Sequence, residues 1–511
     1  RGSRVRAPSA PPKGAADEVA PFFYCNLIKP DMKFTLKHFS ILLLAAAGLL
    51  LAGCSKDSTE PEVEVSSDSS LKRFSFQSSV NTGLNSTCTS YEGAKTIYIT
   101  VPEGVSMSNL IPTFSVHEKA VVTVDGKTVE SGVTALDFTK IVTIKVAAES
   151  GTTSTYQVLA RNGKSSVDNK IYPFMIKHDI PGISVAVSKD EETVYVGSYG
   201  FANRAQKKRV NENTLFRLAS MSKQHAAIAI MTLMEKGLLT LDDTVFGKEG
   251  LLEEMFGDNM GKAWKSITLR DLLSHSSGIV EDCIFPSVSG YSGLTTEERV
   301  QKLLDRNPEP GNRIGVFDYN NANFGILGLV VEQVTGMAFM DYLKKEVYGP
   351  AGIEDIYAGK NDESETRQNE CLYYGQGGKN PYGNDVEAGV AAGGVIASTP
   401  ALMQLMARID KGTKVDDILK PETIDIMCGA KANMVSTSGQ AYKKYALGWR
   451  CNYTDYPTWT AFHGGTLAGV ATIWARANDN VNGVILCNSR SYSMDIDDEM
   501  WDILEEIQTI F

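Results

Sequence analysis

The chain has little with which to hold a metal. Its six histidines include no H-E-x-x-H pattern, and its eight cysteines include no C-x-x-C pair. Metal sites readable from sequence are normally built from such closely spaced ligands, so no metal is expected. The cysteines are also too widely spaced to outline a disulfide framework, although an exported chain could still close one or two bridges. Basic clusters are missing as well. The net charge is −11, with 50 Lys and Arg against 61 Asp and Glu, and no run combines arginines with aromatics. A nucleic-acid partner is therefore not expected. The glycine-rich run Tyr373-Tyr374-Gly375-Gln376-Gly377-Gly378 is followed by neither a helical pattern nor Lys-Ser/Thr. That excludes a phosphate loop and leaves a loop over a substrate cleft as the better reading. No cofactor is expected.

Long apolar runs are scarce. The one that stands out, Phe39–Leu51, follows Lys33 and Lys37 and leads into Leu51-Ala52-Gly53-Cys54. It is too short to cross about 30 Å of hydrocarbon comfortably. A basic start, an apolar stretch and small residues before a cleavage point make residues 32–53 a signal peptide. Leu-Ala-Gly-Cys resembles the lipobox of bacterial lipoproteins. This implies lipid on Cys54 and anchoring in the cell envelope, at the outer membrane on its periplasmic or surface face. Residues 1–31 contain no methionine and precede a complete signal. They are expected to be a non-native upstream segment, with Met32 the start. From Cys54 onward, 43 Lys and Arg face 58 Asp and Glu, a net −15. Attraction to anionic lipid is thereby excluded, and acyl chains must do the anchoring. Residues 54–70 are acidic, polar and broken by Pro61, and read as a flexible tether.

At 511 residues the chain should hold more than one domain. Between residues 71 and 162, Ile97, Ile99 and Val101 alternate with other residues, as do Val142, Ile144 and Val146. Asp125-Gly126 joins two strand-like runs, a strong hairpin signal. These features predict a small all-β sandwich. It resembles the Ig-like modules that follow the lipid anchor in many bacterial surface lipoproteins, which implies a spacer, with glycan or protein binding as the alternative. Residues 163–169 read as a linker. In 170–511, strand patterns open the segment at Gly182–Val187 and Glu192–Gly200 and close it at Val470–Ala475 and Val481–Cys487, before a terminal helix. Strands at both ends with helices between them predict an α/β (α+β) domain, one antiparallel sheet beside a helical region.

The chemistry concentrates at Ser220-Met221-Ser222-Lys223. On a helix, positions three apart share a face, so the hydroxyl and the amine can meet without help from distant structure. A serine hydroxyl is a poor nucleophile until a base takes its proton, and an amine can take it. Free N–H groups at the helix start would favour a developing oxyanion. Taken alone, Ser at a helix start is usually a cap. Two more elements follow in order. Tyr319-Asn320-Asn321 precedes the helical pattern Phe324, Leu327, Val331, Val334, and His463-Gly464-Gly465-Thr466 precedes a strand. Glycines there would let a carbonyl approach the backbone closely.

Three further segments complete the set: Ile267-Thr268 through Leu272-Leu273-Ser274-His275-Ser276-Ser277-Gly278, Ala391-Ala392-Gly393-Gly394-Val395-Ile396-Ala397-Ser398-Thr399, and Tyr445-Ala446-Leu447-Gly448-Trp449. Together the six resemble the serine β-lactamase-like superfamily, in its class C β-lactamase, esterase and D-aminopeptidase branch. The resemblance covers residues 170–511 and implies that superfamily's fold. It implies Ser220 as the nucleophile of an acyl-enzyme, Lys223 as its partner, and Tyr319 as a phenol sharing proton transfer. It further implies Asn321, His463, Gly465 and Thr466 in substrate binding, with the N–H groups of Ser220 and Thr466 as oxyanion donors. His275 lies in a segment of the pattern that looks structural and is given no catalytic part, and His225 reads as packing or solvated. His463 departs from the Lys-Thr-Gly of β-lactamases and D,D-peptidases and resembles the esterase and D-aminopeptidase form. Lysine is a permanent cation, whereas an ordinary histidine is mostly neutral at pH 7. A charge pair at about 4 Å is worth roughly 1–4 kcal/mol. Esters, or peptides and amides containing D-amino acids, are therefore the expected substrates. β-Lactamase or D,D-carboxypeptidase activity is the alternative within the enzyme class, and a non-catalytic binding lipoprotein the alternative outside it.

Overall fold

A computed structural model describes residues 65–511 except 287–288, 430–434, 437–443, 452–458, 478–479 and 493–495. The expected upstream segment, the signal peptide, Cys54 and most of the tether thus lie outside the described residues.

The alternating runs form β1 (Lys72–Phe76), β2 (Cys88–Glu92), β3 (Thr96–Pro102), β4 (Thr113–Ser115), β5 (Val121–Val124), β6 (Lys127–Thr128), β7 (Val142–Ala147) and β8 (Thr153–Gly163). They join in the order β4-β1-β2-β3-β8-β7-β5-β6, all antiparallel except the parallel pair β3–β8. Asp125 and Gly126 close the β5–β6 hairpin at φ 49° and 77°. Both values are positive, as a two-residue type I′ turn requires. Phe74, Phe76, Ile99, Phe138 and Ile144 fill the core of this module.

Two expectations fail at its edges. The last tether residues pack on the sheet: Ser150 N–H donates to Ser66 O at 3.0 Å, and Ser69 and Ser154 hydroxyls lie 2.9 Å apart. The 163–169 linker is instead the end of β8 and the first turn of α1 (Ser165–Lys177). The reason is Asp168, a fully buried carboxylate that pairs with Arg161 and accepts from the hydroxyls of Thr100 (2.6 Å) and Tyr199 (2.7 Å). A buried charge needs such partners, and these come from both sides of the supposed linker. Tyr98 of β3 also faces out of the first core and stacks on Tyr172 of α1 at 5.1 Å. Val65–Phe511 accordingly clusters as one unit.

The remaining strands are β9 (Gly182–Lys189), β10 (Glu192–Asn203), β11 (Lys208–Arg209), β12 (Phe216–Arg217), β13 (Ile356–Ala358), β14 (Val395–Ala397), β15 (Val435–Ser436), β16 (Lys444–Tyr445), β17 (Arg450–Cys451), β18 (Trp459–Leu467), β19 (Val470–Ala477) and β20 (Val481–Cys487). Nine form an antiparallel sheet, β11-β10-β9-β20-β19-β18-β17-β16-β15, while β12-β14-β13 form a small one. β9 pairs with β20 from Ile183↔Cys487 to Lys189↔Val481, so the two ends of the segment do build one sheet. The helices are α2 (Ser222–Glu235), α3 (Glu253–Phe256), α4 (Leu269–Leu273), α5 (Thr296–Arg306), α6 (Asn321–Thr335), α7 (Phe339–Leu343), α8 (Thr399–Met406), α9 (Pro421–Cys428) and α10 (Ile496–Gln508). α1 and α10 share one core with the sheet through Ile171, Met175, Met500 and Leu504, and α2 and α6 belong to another. Ser222 to Leu233 of α2 are all buried, the mark of a central helix. Among the described residues no single helix is long and apolar enough to cross a membrane. The six described cysteines are free and buried.

Candidate active site

Ser220 sits in a single 3₁₀ turn, Ala219–Met221, that runs directly into α2. In a 3₁₀ turn positions i and i+3 eclipse, which brings the hydroxyl over Lys223 as a regular helix would. The turn is strained, because Ala219 adopts φ 50° without being glycine. Three hydrogen bonds hold it. Leu218 N–H donates to Val395 O (2.9 Å), Thr472 hydroxyl donates to Leu218 O (2.8 Å), and Val395 N–H donates to Ser222 Oγ (3.0 Å). The Ser220 turn is thus clamped between β14 and β19.

Lys223 is fully buried, and its Nζ meets three acceptors: Asn321 Oδ1 and Ala392 O, each at 2.7 Å, and Ser220 Oγ at 3.2 Å. Asn321 opens α6, where Asn320 caps the helix by accepting from Ala322 N–H at 2.8 Å. The Asn321 amide is fixed from its other end, since Nδ2 donates to Asp282 Oδ2 at 2.8 Å. Asp282 is itself held, accepting from Ile284 N–H (2.9 Å) and Phe285 N–H (3.1 Å). Sequence reasoning missed Asp282, which lies in a loop with no local pattern to mark it. It also gave no role to Ala392, whose carbonyl comes from one of the quoted segments.

Tyr319 presents its ring to Lys223, with Nζ 4.9 Å from the centroid. Its hydroxyl makes no hydrogen bond to a described residue, so a direct Tyr319–Ser220 bond is not among the contacts present. Behind it lies His275, buried, with ring centroids 4.2 Å apart. His275 Nδ1 accepts from Asn323 Nδ2 (3.0 Å) and Asn320 N–H (3.3 Å), which puts its proton on Nε2. Burial and the nearby Lys223 hold His275 well below the usual histidine range. His275 is therefore a neutral support for the phenol rather than part of a serine–histidine pair.

His463 is 1% exposed. Its Nδ1 lies 2.6 Å from Gly464 O, which can only accept, so Nε2 accepts from the Tyr445 hydroxyl at 2.9 Å. Burial first, then Arg450 and Lys223, hold it well below the usual range, and it is neutral. The sequence suggested a residue in substrate binding; the structure buries its ring and ties it to Tyr445. That tyrosine was quoted for its pattern but given no task.

At Gly465, β18 passes tightly against the turn that carries Ser220. A Cβ there would lie 2.2 Å from Leu218 O, 2.2 Å from Thr472 Oγ1 and 3.1 Å from Ala219 Cβ. Only glycine fits such an approach. The Gly464–Leu467 half of β18 pairs with β19 and, among the described residues, with no strand on its other side. Its free edge can take an extended ligand backbone. Thr466 is exposed, and its hydroxyl accepts from Arg490 Nη1 at 3.0 Å. Arg490 is also paired in a two-point fork with Asp497 (2.7 and 2.6 Å).

The structure thus brings Ser220, Lys223, Tyr319, Asn321, His463, Gly465 and Thr466 into one region, while Cys54 lies outside the described residues. A family profile described as Beta-lactamase matches residues 167–505. A second, described as SGBP, N-terminal, matches residues 74–160. Penicillin-binding protein 4* of Bacillus subtilis (strain 168) is 27% identical over 187 residues, 35% of this chain and 38% of its own length. The chain therefore spans well under half of that relative. D-amino acid amidase from Ochrobactrum anthropi SV3 has a similar fold, with TM-score 0.54 and 19% identity over 68% of this chain and 98% of the other. So does a class C beta-lactamase, with TM-score 0.55 and 20% identity over 68% of this chain and 95% of the other.

Proposed function

The chain belongs to the Beta-lactamase family, and from that membership we propose that it is a serine hydrolase forming an acyl-enzyme on Ser220. The observation that carries the reading is the set of contacts around Lys223 Nζ. Asn321 Oδ1 and Ala392 O can only accept. They hold Nζ beside Ser220 Oγ, its third contact at 3.2 Å; once the amine has given up a proton, its lone pair is placed to accept the hydroxyl's. The amine takes the hydroxyl proton while Oγ bonds to the substrate's carbonyl carbon, with Tyr319 sharing in proton transfer. The oxyanion is received by the N–H groups of Ser220 and Thr466, each such donor typically being worth about 10²–10³ in rate. The returned proton leaves with the alcohol or amine, and water then cleaves the acyl-enzyme.

The substrates we propose are esters, or D-amino-acid-containing peptides and amides, because buried His463 supplies no cation. D,D-carboxypeptidase action is a second reading, favoured by Arg490. Its guanidinium touches Thr466 and would meet a terminal carboxylate, although Asp497 offsets its charge. Turnover of p-nitrophenyl esters, a D-aminoacyl amide, a peptide ending in D-Ala-D-Ala and a chromogenic cephalosporin separates these. Esters or the amide should lead; efficient cephalosporin turnover contradicts the assignment, and a preference for the D-Ala-D-Ala peptide selects the second reading. We further propose that lipid on Cys54 holds the protein in the bacterial envelope, with the Ig-like module as spacer. Incorporation of a palmitate analogue that survives Cys54→Ser would refute the anchor.

A further inference from the structure

Asn321 belongs to the proposed substrate-binding set, and the residues behind it bound the space that an acyl group on Ser220 can use. Its amide is held at one end by Lys223 Nζ (2.7 Å) and at the other by Asp282 (2.8 Å), which draws residues 282–285 against the site. Phe285 N–H closes that turn by donating to Asp282 Oδ1 at 3.1 Å. Little else in the turn is open to an apolar chain. Cys283 and Ile284 are fully buried, and both Asp282 oxygens already accept from N–H groups. Phe285 remains, an aromatic ring that is only partly buried.

Two glycines show where the ring goes. A Cβ added at Gly389 would lie 2.5 Å from Phe285 Cζ and 2.9 Å from Cε1. One added at Gly393 would lie 2.9 Å from Cε2 and 3.1 Å from Cζ. Contacts this short need hydrogen in place of a side chain, so the outer end of the ring fills a notch that the two glycines leave open. The same point at Gly393 is 3.7 Å from the carbonyl carbon of Ala219, the residue before Ser220. Ala392, next to Gly393, is the residue whose carbonyl accepts from Lys223. The ring thus stands one residue away from the Ser220 turn and is joined to Asn321 through Asp282.

We propose that Phe285 sets the size of the acyl group: its ring closes the notch against long chains and confines the enzyme to compact ones. The proposal rests on the Ser220 acyl-enzyme reading and names the substrate class within it. A wall of this kind works by exclusion. A chain that has to displace a packed ring loses the burial it would otherwise gain, and one methylene in an apolar pocket already changes kcat/KM by about 10–200-fold. Replacing the ring by a methyl group hands the notch to the substrate.

The test is kcat/KM for the p-nitrophenyl esters of acetate, butyrate and octanoate, corrected for spontaneous hydrolysis, in the parent, Phe285→Leu and Phe285→Ala. The parent should prefer acetate and butyrate. The octanoate-to-acetate ratio should rise about tenfold or more in Phe285→Ala, and by less in Phe285→Leu. A ratio cancels any loss of folded protein, and Phe285→Leu carries the comparison alone if the alanine variant does not fold. A ring that only packs would lower all the esters together and leave the ratio at its parental value, which overturns the proposal. So does a parent that takes octanoate as readily as acetate. Turnover of acetate by the parent separates the two readings. With it, an unchanged ratio removes only the role of Phe285; with no ester turned over by the parent, the ester reading falls and this proposal falls with it.

Discussion

Gly465→Ala places one methyl group at the tightest point of the site. The added Cβ would stand 2.2 Å from the Leu218 carbonyl oxygen and 2.2 Å from Thr472 Oγ1, which donates to that same carbonyl. Neither atom is the end of a flexible chain, so β18 and the turn carrying Ser220 must separate by about 1 Å to reach ordinary contact. Overpacking of this kind costs about 1–3 kcal/mol of stability. The loss in activity should be much larger, because a displacement of about 1 Å between reacting groups costs on the order of 10²-fold. Gly464→Ala is the internal control. Its Cβ meets nothing closer than 3.5 Å, so it should fold and turn over as the parent does. The assay is kcat/KM on a p-nitrophenyl ester beside thermal unfolding of the three proteins. A Gly465→Ala enzyme within threefold of the parent would refute the claim that this approach sets the geometry of catalysis.

Lys223→Ala should lower kcat by about 10²–10⁴ without unfolding the protein, the usual range for a lost general base; a tenfold effect or less, read by ester turnover, would remove the amine from that role. Asp282→Ala frees the Asn321 amide to turn its N–H₂ toward Lys223, and kcat should fall about 10–100-fold with KM nearly constant, whereas Asp282→Asn should recover part of the loss. Stability should also fall with acid. His225, His275 and His463 are buried and held below their ordinary values, His225 at about 3. Because the unfolded chain binds their protons more readily, their contribution is complete above about pH 6.5 and is lost as pH drops below it, by up to about 1.4 kcal/mol per pH unit for each. Urea unfolding at pH 7 and pH 5.5 checks this, with His225→Gln expected to flatten the slope.

What could be read from the chain was what short spacings carry. Ser220 and Lys223 are three apart and meet through local geometry alone. The Asp125-Gly126 turn needs only two positive φ values, and the strands at both ends of the 170–511 segment were visible in their apolar runs. What stayed hidden depends on groups that meet across long separations. Asp282 reaches Asn321 from 39 positions away, and nothing around it signals the contact. The apparent linker at 163–169 looked polar and turn-rich, yet Asp168 is drawn into a buried cluster by Thr100, Arg161 and Tyr199. His463 was expected to face substrate because its motif does, but its burial follows from Tyr445 and the sheet around it.

The most direct test of the account is the mass of the protein after reaction with a fluorophosphonate or a fluorescent penicillin. A single adduct on the parent, mapped by peptide sequencing to Ser220 and missing from Ser220→Ala, is the predicted result. An adduct that persists in Ser220→Ala, or no adduct on either protein, would contradict it.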